Sequence, residues 1–318
     1  MLARRQLLLG ALTLPLLTGA ARLAAQNFAG TYAPEALPVA DGIWLVRGAD
    51  EPIEMGNGGA VANSVIIASD AGTIVIDPGP SLAFGTALAK LAQKVTGKAV
   101  TRIYITNLHP DRSFGAGAFT GSQFHALKST AAELARDAQG FADGMYRLLG
   151  GWMAGTEPVM PGHVATGGLI TFGGRALRLF DLAGHTGGDL ALLDEATGTL
   201  IGGGLVFHNR APATPHAALP VWQASLKVLE AAKHRQMLPG HGPLCRQGTA
   251  IAQTRDWLAW LETTLHEAVA SGLDMAEAAR LPIPDRFAGM AVARYELTRS
   301  VSHFYPRLEA ELLPRIDG

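Results

Sequence analysis

Short apolar runs rich in branched side chains occupy the first half of the chain, and glycine or polar turns separate them. Residues 43–46, 64–68 and 73–76 each predict a strand, because valine and isoleucine favour extended backbone. Asp70-Ala71-Gly72 predicts a hairpin turn between the second and third of these strands. The apolar pattern of this region therefore predicts a β-rich unit that contains a hairpin.

The period of the apolar positions changes after this unit. Residues 81–95 place apolar side chains at helical spacing behind Ser81, which predicts a helix with a serine N-cap. Residues 101–106 predict another strand, which delivers the polar stretch 107–112 to its C-terminal end. Residues 129–152 are helical in pattern but interrupted by glycine. The first half thus predicts strands, a helix and a further strand.

The second half repeats this order. Strands are predicted at 169–172, 176–180, 190–193 and 199–201, followed by a helix at 220–233 and a short strand at 236–238. From residue 251 the chain is almost entirely helical in pattern, with apolar residues three and four positions apart. We expect one main domain over 27–250 and a helical segment over 251–318 that packs against its outside.

The first 26 residues have the composition of an export signal rather than of a folded element. Arg4 and Arg5 precede the apolar run 7–17, and small residues follow it at 19–21 and 23–25. Paired arginines before a leucine run indicate the twin-arginine route, with the Sec route or an uncleaved anchor as alternatives. The sequence therefore predicts a periplasmic protein without a membrane span in its mature chain.

Composition narrows the class of protein further. The 318 residues are 48% hydrophobic and 17% charged, which is typical of a globular protein with a large core. The net charge of −1, without a Lys/Arg stripe, argues against a nucleic-acid partner. Cys245 is the only cysteine, so no internal disulfide can form, and we expect it to be a small buried side chain.

Four loops at predicted strand ends carry the candidate chemistry. They contain Asp77 in VIDPGP, then Asn107, His109, Asp111 and Arg112 in NLHPDR, then His185 and Asp189 in GHTGGD, and His241 in LPGHGP. Loops that follow strands often carry functional residues, and imidazole and carboxylate are ligands that zinc prefers. The NLHPDR loop by itself is compatible with a metal loop, an altered metal loop or a polar turn.

These motifs occur in the order seen in the metallo-β-lactamase superfamily, which the chain resembles. The stretches VIDPGPS, GHTGGDLALLDEATGTL and LVFHNRAPATPHA are also similar to its exported SoxH-like branch, called quinoprotein relay system zinc metallohydrolase type 1. The resemblance implies a mixed α/β (α+β) αββα sandwich with a C-terminal helical extension and zinc at the sheet edges. It also implies association with a pyrroloquinoline-quinone (PQQ)-dependent dehydrogenase system as a partner.

Three positions depart from the superfamily pattern. Asn107 and Arg112 stand where the loop usually has histidine, and Gly204 stands where an acidic residue usually bridges two metals. Arginine has no lone pair to donate and glycine has no side chain, so a two-metal clamp is disfavoured. The resemblance then implies one zinc ion, with ligands drawn from His109, Asp111, His185 and His241.

The other roles follow from the same resemblance and from side-chain chemistry. Asp111 would orient or deprotonate the attacking water, Asn107 would be a weak ligand or hydrogen-bond partner, and Arg112 would supply fixed positive charge. We expect Asp77 to brace the metal loop and Asp189 to cap backbone amides. The predicted substrate contacts are His208, Arg210 and His216.

Two functions are compatible with this set of residues. The first is an exported hydrolase with a single zinc ion, acting on an ester, thioester, lactam or similar bond of a small molecule. The second is a non-catalytic accessory or binding protein of a quinoprotein dehydrogenase system that has lost the metal site. The retained histidines and Asp111 favour the hydrolase, and the replaced ligands favour the accessory protein.

Overall fold

Two β-sheets pack face to face between layers of helices in the computed structural model, which describes residues 30–246 and 248–312. The export signal predicted over residues 1–26 lies outside the described residues. The strands are β1 (Ala36–Ala40), β2 (Ile43–Val46), β3 (Ser64–Ser69), β4 (Gly72–Ile76), β5 (Val100–Tyr104), β6 (Gln123–Leu127), β7 (His163–Ala165), β8 (Gly168–Phe172), β9 (Arg175–Leu182), β10 (Asp189–Asp194), β11 (Thr199–Phe207) and β12 (Gln236–His241).

The helices lie between and after these strands. They are α1 (Leu82–Thr96), α2 (Pro110–Ser113), α3 (Lys128–Leu149), α4 (Leu219–Ala231), α5 (Thr249–Ala270), α6 (Met275–Ala278), α7 (Asp285–Ala288) and α8 (Ala293–Leu312), with 3₁₀ turns at Phe114–Ala118 and Gly150–Met153. No helix in the described part of the chain is long and apolar enough to cross a bilayer.

The two sheets differ in size but share one design. The first sheet runs β1 to β7 in chain order, antiparallel from β1 to β4 and parallel from β4 to β7. The second has the order β12-β11-β10-β9-β8 and is antiparallel except for the β11–β12 pair. In each half, antiparallel strands are followed by a helix and a parallel strand, which confirms the repeated order predicted from the sequence.

Apolar side chains fill the space between the sheets and the space under each helical layer. Ile67 of β3 and Leu192 of β10 belong to the inter-sheet cluster, whereas Ile66 faces the other way toward Leu88 of α1. The second sheet packs its outer face against α4, α5 and α8, where Trp257 is fully buried. Because both faces of the central strands are covered, their sequences are almost continuously apolar.

Helix α1 begins and ends as its sequence predicts. The Ser81 hydroxyl accepts a hydrogen bond from the Phe84 N–H at 3.2 Å, which satisfies one amide of the first turn. Gly97 ends the helix at φ 73° and donates its N–H to the Gln93 carbonyl. Cys245 is buried, with its Sγ 3.4 Å from Thr249 Oγ1, as expected for a small core side chain.

Hydrogen bonds join the ends of several strands at one edge of the sandwich. The Asp77 N–H donates to the Tyr104 carbonyl at 2.8 Å, which joins the exits of β4 and β5. The Leu190 N–H donates to the Thr106 carbonyl at 2.7 Å, which connects the two sheets. The His208 N–H donates to the His241 carbonyl at 3.0 Å. The polar loops singled out in the sequence therefore meet at this edge.

Candidate active site

A buried ion pair fixes the NLHPDR loop to the end of β4. The Asp77 carboxylate accepts hydrogen bonds from the Thr106 N–H at 2.7 Å, the Thr106 hydroxyl at 2.8 Å and Arg112 Nη1 at 2.8 Å. Asp77 has φ 57°, a left-handed conformation that aspartate adopts more readily than most residues. The structure thus gives Asp77 the bracing contacts expected of it, and it places the Arg112 charge against Asp77 inside the protein.

His109 is oriented by a second histidine. Its Nε2 lies 2.9 Å from His216 Nδ1, so Nδ1 of His109 is left for another partner. Burial lowers the pKa of His109 well below 6.5, and the nearby His185 and His216 add to this effect. The His109 imidazole is therefore neutral at pH 7 and keeps a lone pair available. The structure thus places His216, predicted as a substrate contact, against the predicted metal loop.

His185 is held by the turn that follows it. Its Nδ1 lies 3.3 Å from Asp189 Oδ1 and 3.3 Å from the Asn107 amide nitrogen. Asp189 Oδ2 also accepts the backbone N–H groups of His185 and Thr186 at 3.0 and 2.8 Å. A proton on Nδ1 shared with Asp189 leaves the lone pair on Nε2 of His185. Asp189 thus caps backbone amides and positions the imidazole at once.

His241 faces the carboxylate of Asp111. Its Nδ1 lies 2.8 Å from the Val61 carbonyl, and its Nε2 lies 3.5 Å from Asp111 Oδ2. Two donors on one tetrahedral zinc, each at ~2.0–2.1 Å, are separated by roughly 3.3 Å, so this pair fits a shared cation. Burial lowers the pKa of His241 well below 6.5, and the guanidinium groups of Arg210 and Arg112 act in the same direction.

The candidate metal ligands lie in two pairs, and no three of the described side chains are placed around one point. Among the side chains that the structure describes, no three His, Cys, Asp or Glu residues are arranged to hold one metal ion. The His109 and His185 rings lie 4.7 Å apart at 85°, whereas His241 pairs with Asp111. The chemistry of these donors fits zinc, and their present arrangement provides two ligands at a time.

The Asn107 amide occupies the space beside Gly204. A Cβ atom built on Gly204 would collide with Asn107 Nδ2 and lie 2.5 Å from His185 Nδ1. Asn107 Oδ1 also accepts the His109 N–H at 3.0 Å, which ties the amide to the metal loop. The departures from the superfamily pattern at positions 107 and 204 are therefore coupled. While Asn107 and His185 keep these positions, no residue larger than glycine fits at 204.

A cleft of about 290 Å³ opens over these residues. Its wall includes His109, Asp111, His185, His241, Arg210 and His216. Of the predicted substrate contacts, Arg210 and His216 thus line the cleft, while His208 directs Nδ1 to the Pro243 carbonyl at 2.8 Å.

The C-terminal helix also lines the cleft, which the sequence reasoning missed. Tyr295, Glu296 and Arg299 of α8 form part of its wall, and Glu296 is 1% exposed. Glu296 falls among the buried positions Ala293, Leu297, Ser300 and Val301 of an otherwise amphipathic helix. An acidic residue on the apolar face of such a helix was the signal that could have revealed this contribution.

Comparison with known protein families identifies the family to which this chain belongs. The family model for the metallo-beta-lactamase superfamily matches residues 57–261, so the chain belongs to that superfamily. The match ends within α5, and helices α6 to α8 follow it. A search of curated protein sequences found no match.

Solved structures share the sandwich at low sequence identity. A metallo-beta-lactamase from Pontibacter korlensis is 20% identical over 71% of this chain and 99% of its own, with a TM-score of 0.59. One from Hirschia baltica is 16% identical over 71% and 98%, with a TM-score of 0.56. The metallo-beta-lactamase FIM-1 from Pseudomonas aeruginosa, solved in a mono-zinc form, is 15% identical over 72% and 96%, with a TM-score of 0.57. These similarities confirm the fold predicted from the sequence.

Proposed function

We propose that this chain is a hydrolase that binds one zinc ion and cleaves an ester, thioester, lactam or similar bond of a small molecule. One observation carries the proposal. Each of the three imidazoles has one ring nitrogen against a protein partner, which leaves Nδ1 of His109 and Nε2 of His185 and His241 for a metal. Such partners fix the tautomer and orientation of metal-binding histidines.

The residues that would hold the ion are His109, Asp111, His185 and His241, and the two pairs would have to approach each other for all four to bind it. When bound, zinc acts as a Lewis acid that activates water for attack on a carbonyl or phosphoryl centre. The Asp111 carboxylate lines the cleft, 3.5 Å from Nε2 of His241, where it would orient the attacking water or take its proton.

A single ion is favoured over two by the surroundings of the donors. Gly204 supplies no bridging carboxylate, and the Asn107 amide fills the adjacent space. The Arg112 guanidinium lies behind the loop, and its positive charge disfavours a second cation nearby. The site therefore has the donors for one metal and lacks those of a two-metal clamp.

Metal analysis tests this proposal. We expect the purified full chain to contain one zinc per molecule, and the His185→Ala and His241→Ala variants to lose it together with hydrolysis of an ester, thioester and lactam panel. His266→Ala, which changes an exposed histidine of α5, is the matched control. A folded wild-type protein that takes up no zinc from a zinc-replete buffer would rule out the hydrolase.

His216 is expected to act on zinc affinity without being a ligand. Replacing His216 with Ala removes the partner that holds His109 Nε2 at 2.9 Å. Loss of such a partner typically weakens metal binding about 10- to 100-fold. Competition with a chromogenic chelator measures the affinity of His216→Ala against that of His266→Ala. Equal affinities would show that the contact between the two rings does not orient the ligand.

A second function is favoured by a different observation. Because the described donors form pairs rather than a triad, the chain is also compatible with a non-catalytic binding protein of a PQQ-dependent dehydrogenase system. The proposed partner rests on the resemblance of the sequence to the quinoprotein relay branch, and the proposed periplasmic location rests on Arg4, Arg5 and the apolar run after them. Co-purification of a dehydrogenase with the metal-free chain would favour this function over the hydrolase.

A further inference from the structure

A buried arginine in the cleft wall lacks hydrogen-bond acceptors. Arg210 is 3% exposed, and its Nη2 donates to the Glu51 carbonyl at 3.0 Å. Its Nε and Nη1 have no acceptor within the part of the chain that the structure describes. A buried donor without a partner destabilises the folded state, and more strongly when the group is charged. An acceptor supplied by a ligand would remove this cost.

Four charged side chains, two of each sign, line the cleft. Glu296 pairs with Arg299, whose Nη1 lies 3.1 Å from Glu296 Oε2 and 3.3 Å from Oε1. Asp111 faces His241 and belongs to the proposed metal set. Within residues 30–246 and 248–312, Arg210 itself forms no ion pair. The Asp111 and Glu296 carboxylates balance the charges of Arg210 and Arg299, but neither forms an ion pair with Arg210, so two of its buried nitrogens keep donors for an acceptor that enters the cleft.

The C-terminal segment builds this part of the wall and fixes its position. The Ala211 N–H donates to the Ala291 carbonyl at 3.0 Å, and the Ala291 N–H donates to the Asn209 carbonyl at 2.9 Å. The buried hydroxyls of Thr214 and Ser300 are 2.7 Å apart. These contacts hold the Arg210 loop against the residues that lead into α8, which lies beyond the region matched by the superfamily model.

We infer that Arg210 and Arg299 form a subsite that binds the carboxylate or phosphate of an anionic substrate, with Glu296 competing for Arg299 when the cleft is empty. Guanidinium groups bind these oxyanions through charge-assisted hydrogen bonds, and the enclosed cleft of about 290 Å³ admits a small molecule. The inference rests on the proposed function, since it assigns the substrate class of the same cleft. The C-terminal helix is then a determinant of specificity.

Calorimetric titration of the full chain tests the subsite without requiring hydrolysis. The probes are monomethyl succinate and methyl phosphate, with neutral dimethyl succinate as the control ligand. We expect saturable binding of an anionic probe, weakened by about tenfold or more in Arg210→Gln and Arg299→Gln, as loss of one charge-assisted hydrogen bond implies. Glu296→Gln should bind severalfold more tightly, because Arg299 is then released. The probe with the higher affinity distinguishes a carboxylate from a phosphate.

Two controls separate this inference from protein folding and from metal binding. Arg307→Gln changes an exposed arginine of the same helix and should leave the affinity unchanged. Titration after treatment with a chelator should give the same affinity, because both arginines remain when the metal site is empty. A gain of affinity in Glu296→Gln cannot arise from misfolding. The inference is overturned by absence of binding, by equal binding of dimethyl succinate, by loss of binding after chelator treatment, or by unchanged affinity in folded Arg299→Gln and Glu296→Gln.

Discussion

Replacing Asp77 with asparagine is expected to lower the free energy of unfolding by about 3–5 kcal/mol, the usual cost of removing one partner of a buried ion pair. The Arg112 side chain is fully buried, and its Nη1 contacts Asp77 Oδ2 at 2.8 Å. Its Nε and Nη2 have no other acceptor among the described residues, so the charge of Arg112 would be left uncompensated. Asparagine tolerates the φ of 57° at this position, which isolates the effect of charge from that of backbone strain.

Urea denaturation followed by circular dichroism measures the effect. Arg178→Ala, which breaks an exposed pair with Glu195, should cost no more than about 1 kcal/mol. The double variant Asp77→Asn, Arg112→Met should recover part of the loss, because it removes the uncompensated charge. If Asp77→Asn unfolds at the wild-type urea concentration, the ion pair does not stabilise the loop that carries His109 and Asp111.

Gly204→Ala is expected to destabilise the protein by about 1–3 kcal/mol or more and to weaken zinc binding, since overpacking forces neighbours to move. The new Cβ would collide with the Asn107 amide and lie 2.5 Å from His185 Nδ1. Both groups are buried and lie next to the proposed ligands, so relief of the clash displaces an imidazole that the site requires.

Thermal unfolding and zinc competition measure the two effects of Gly204→Ala. Gly140→Ala is the matched control, because no atom lies within 4 Å of its added Cβ and alanine favours the α3 helix. Removing the amide as well, in Asn107→Ala with Gly204→Ala, should restore much of the stability. Failure of the double variant to recover would mean that the clash with His185 alone decides the outcome.

The sequence predicted the strands with branched apolar residues and the loops at their ends. It missed β1, which contains Pro38, and β6, whose QFHAL segment is short and partly polar. It also ended the predicted strand before Gly202, although β11 continues to Phe207. Glycine has a low intrinsic preference for strands, and here close contacts override that preference, since a Cβ on Gly204 would meet the site itself.

The sequence showed the order of the candidate site residues along the chain, but it did not show which of their side chains contact each other. Nothing in the spacing of His109 and His216 indicates that Nε2 of one lies 2.9 Å from Nδ1 of the other, because the contact depends on how the loop after β11 packs against the loop that carries His109. The place of Arg299 in the cleft wall was equally hidden, whereas Glu296 left a signal as an acidic residue on the apolar face of its helix. Both lie on a helix that carries no motif and reaches the cleft only through the tertiary packing of α8.

The backbone pairing between Ala291 and the Arg210 loop has a consequence for biosynthesis. The ribosome completes all four proposed zinc ligands by residue 241, whereas the wall around Glu296 and Arg299 is translated later. The cleft wall formed by Tyr295, Glu296 and Arg299 is therefore complete only after the final helix has been translated and has docked.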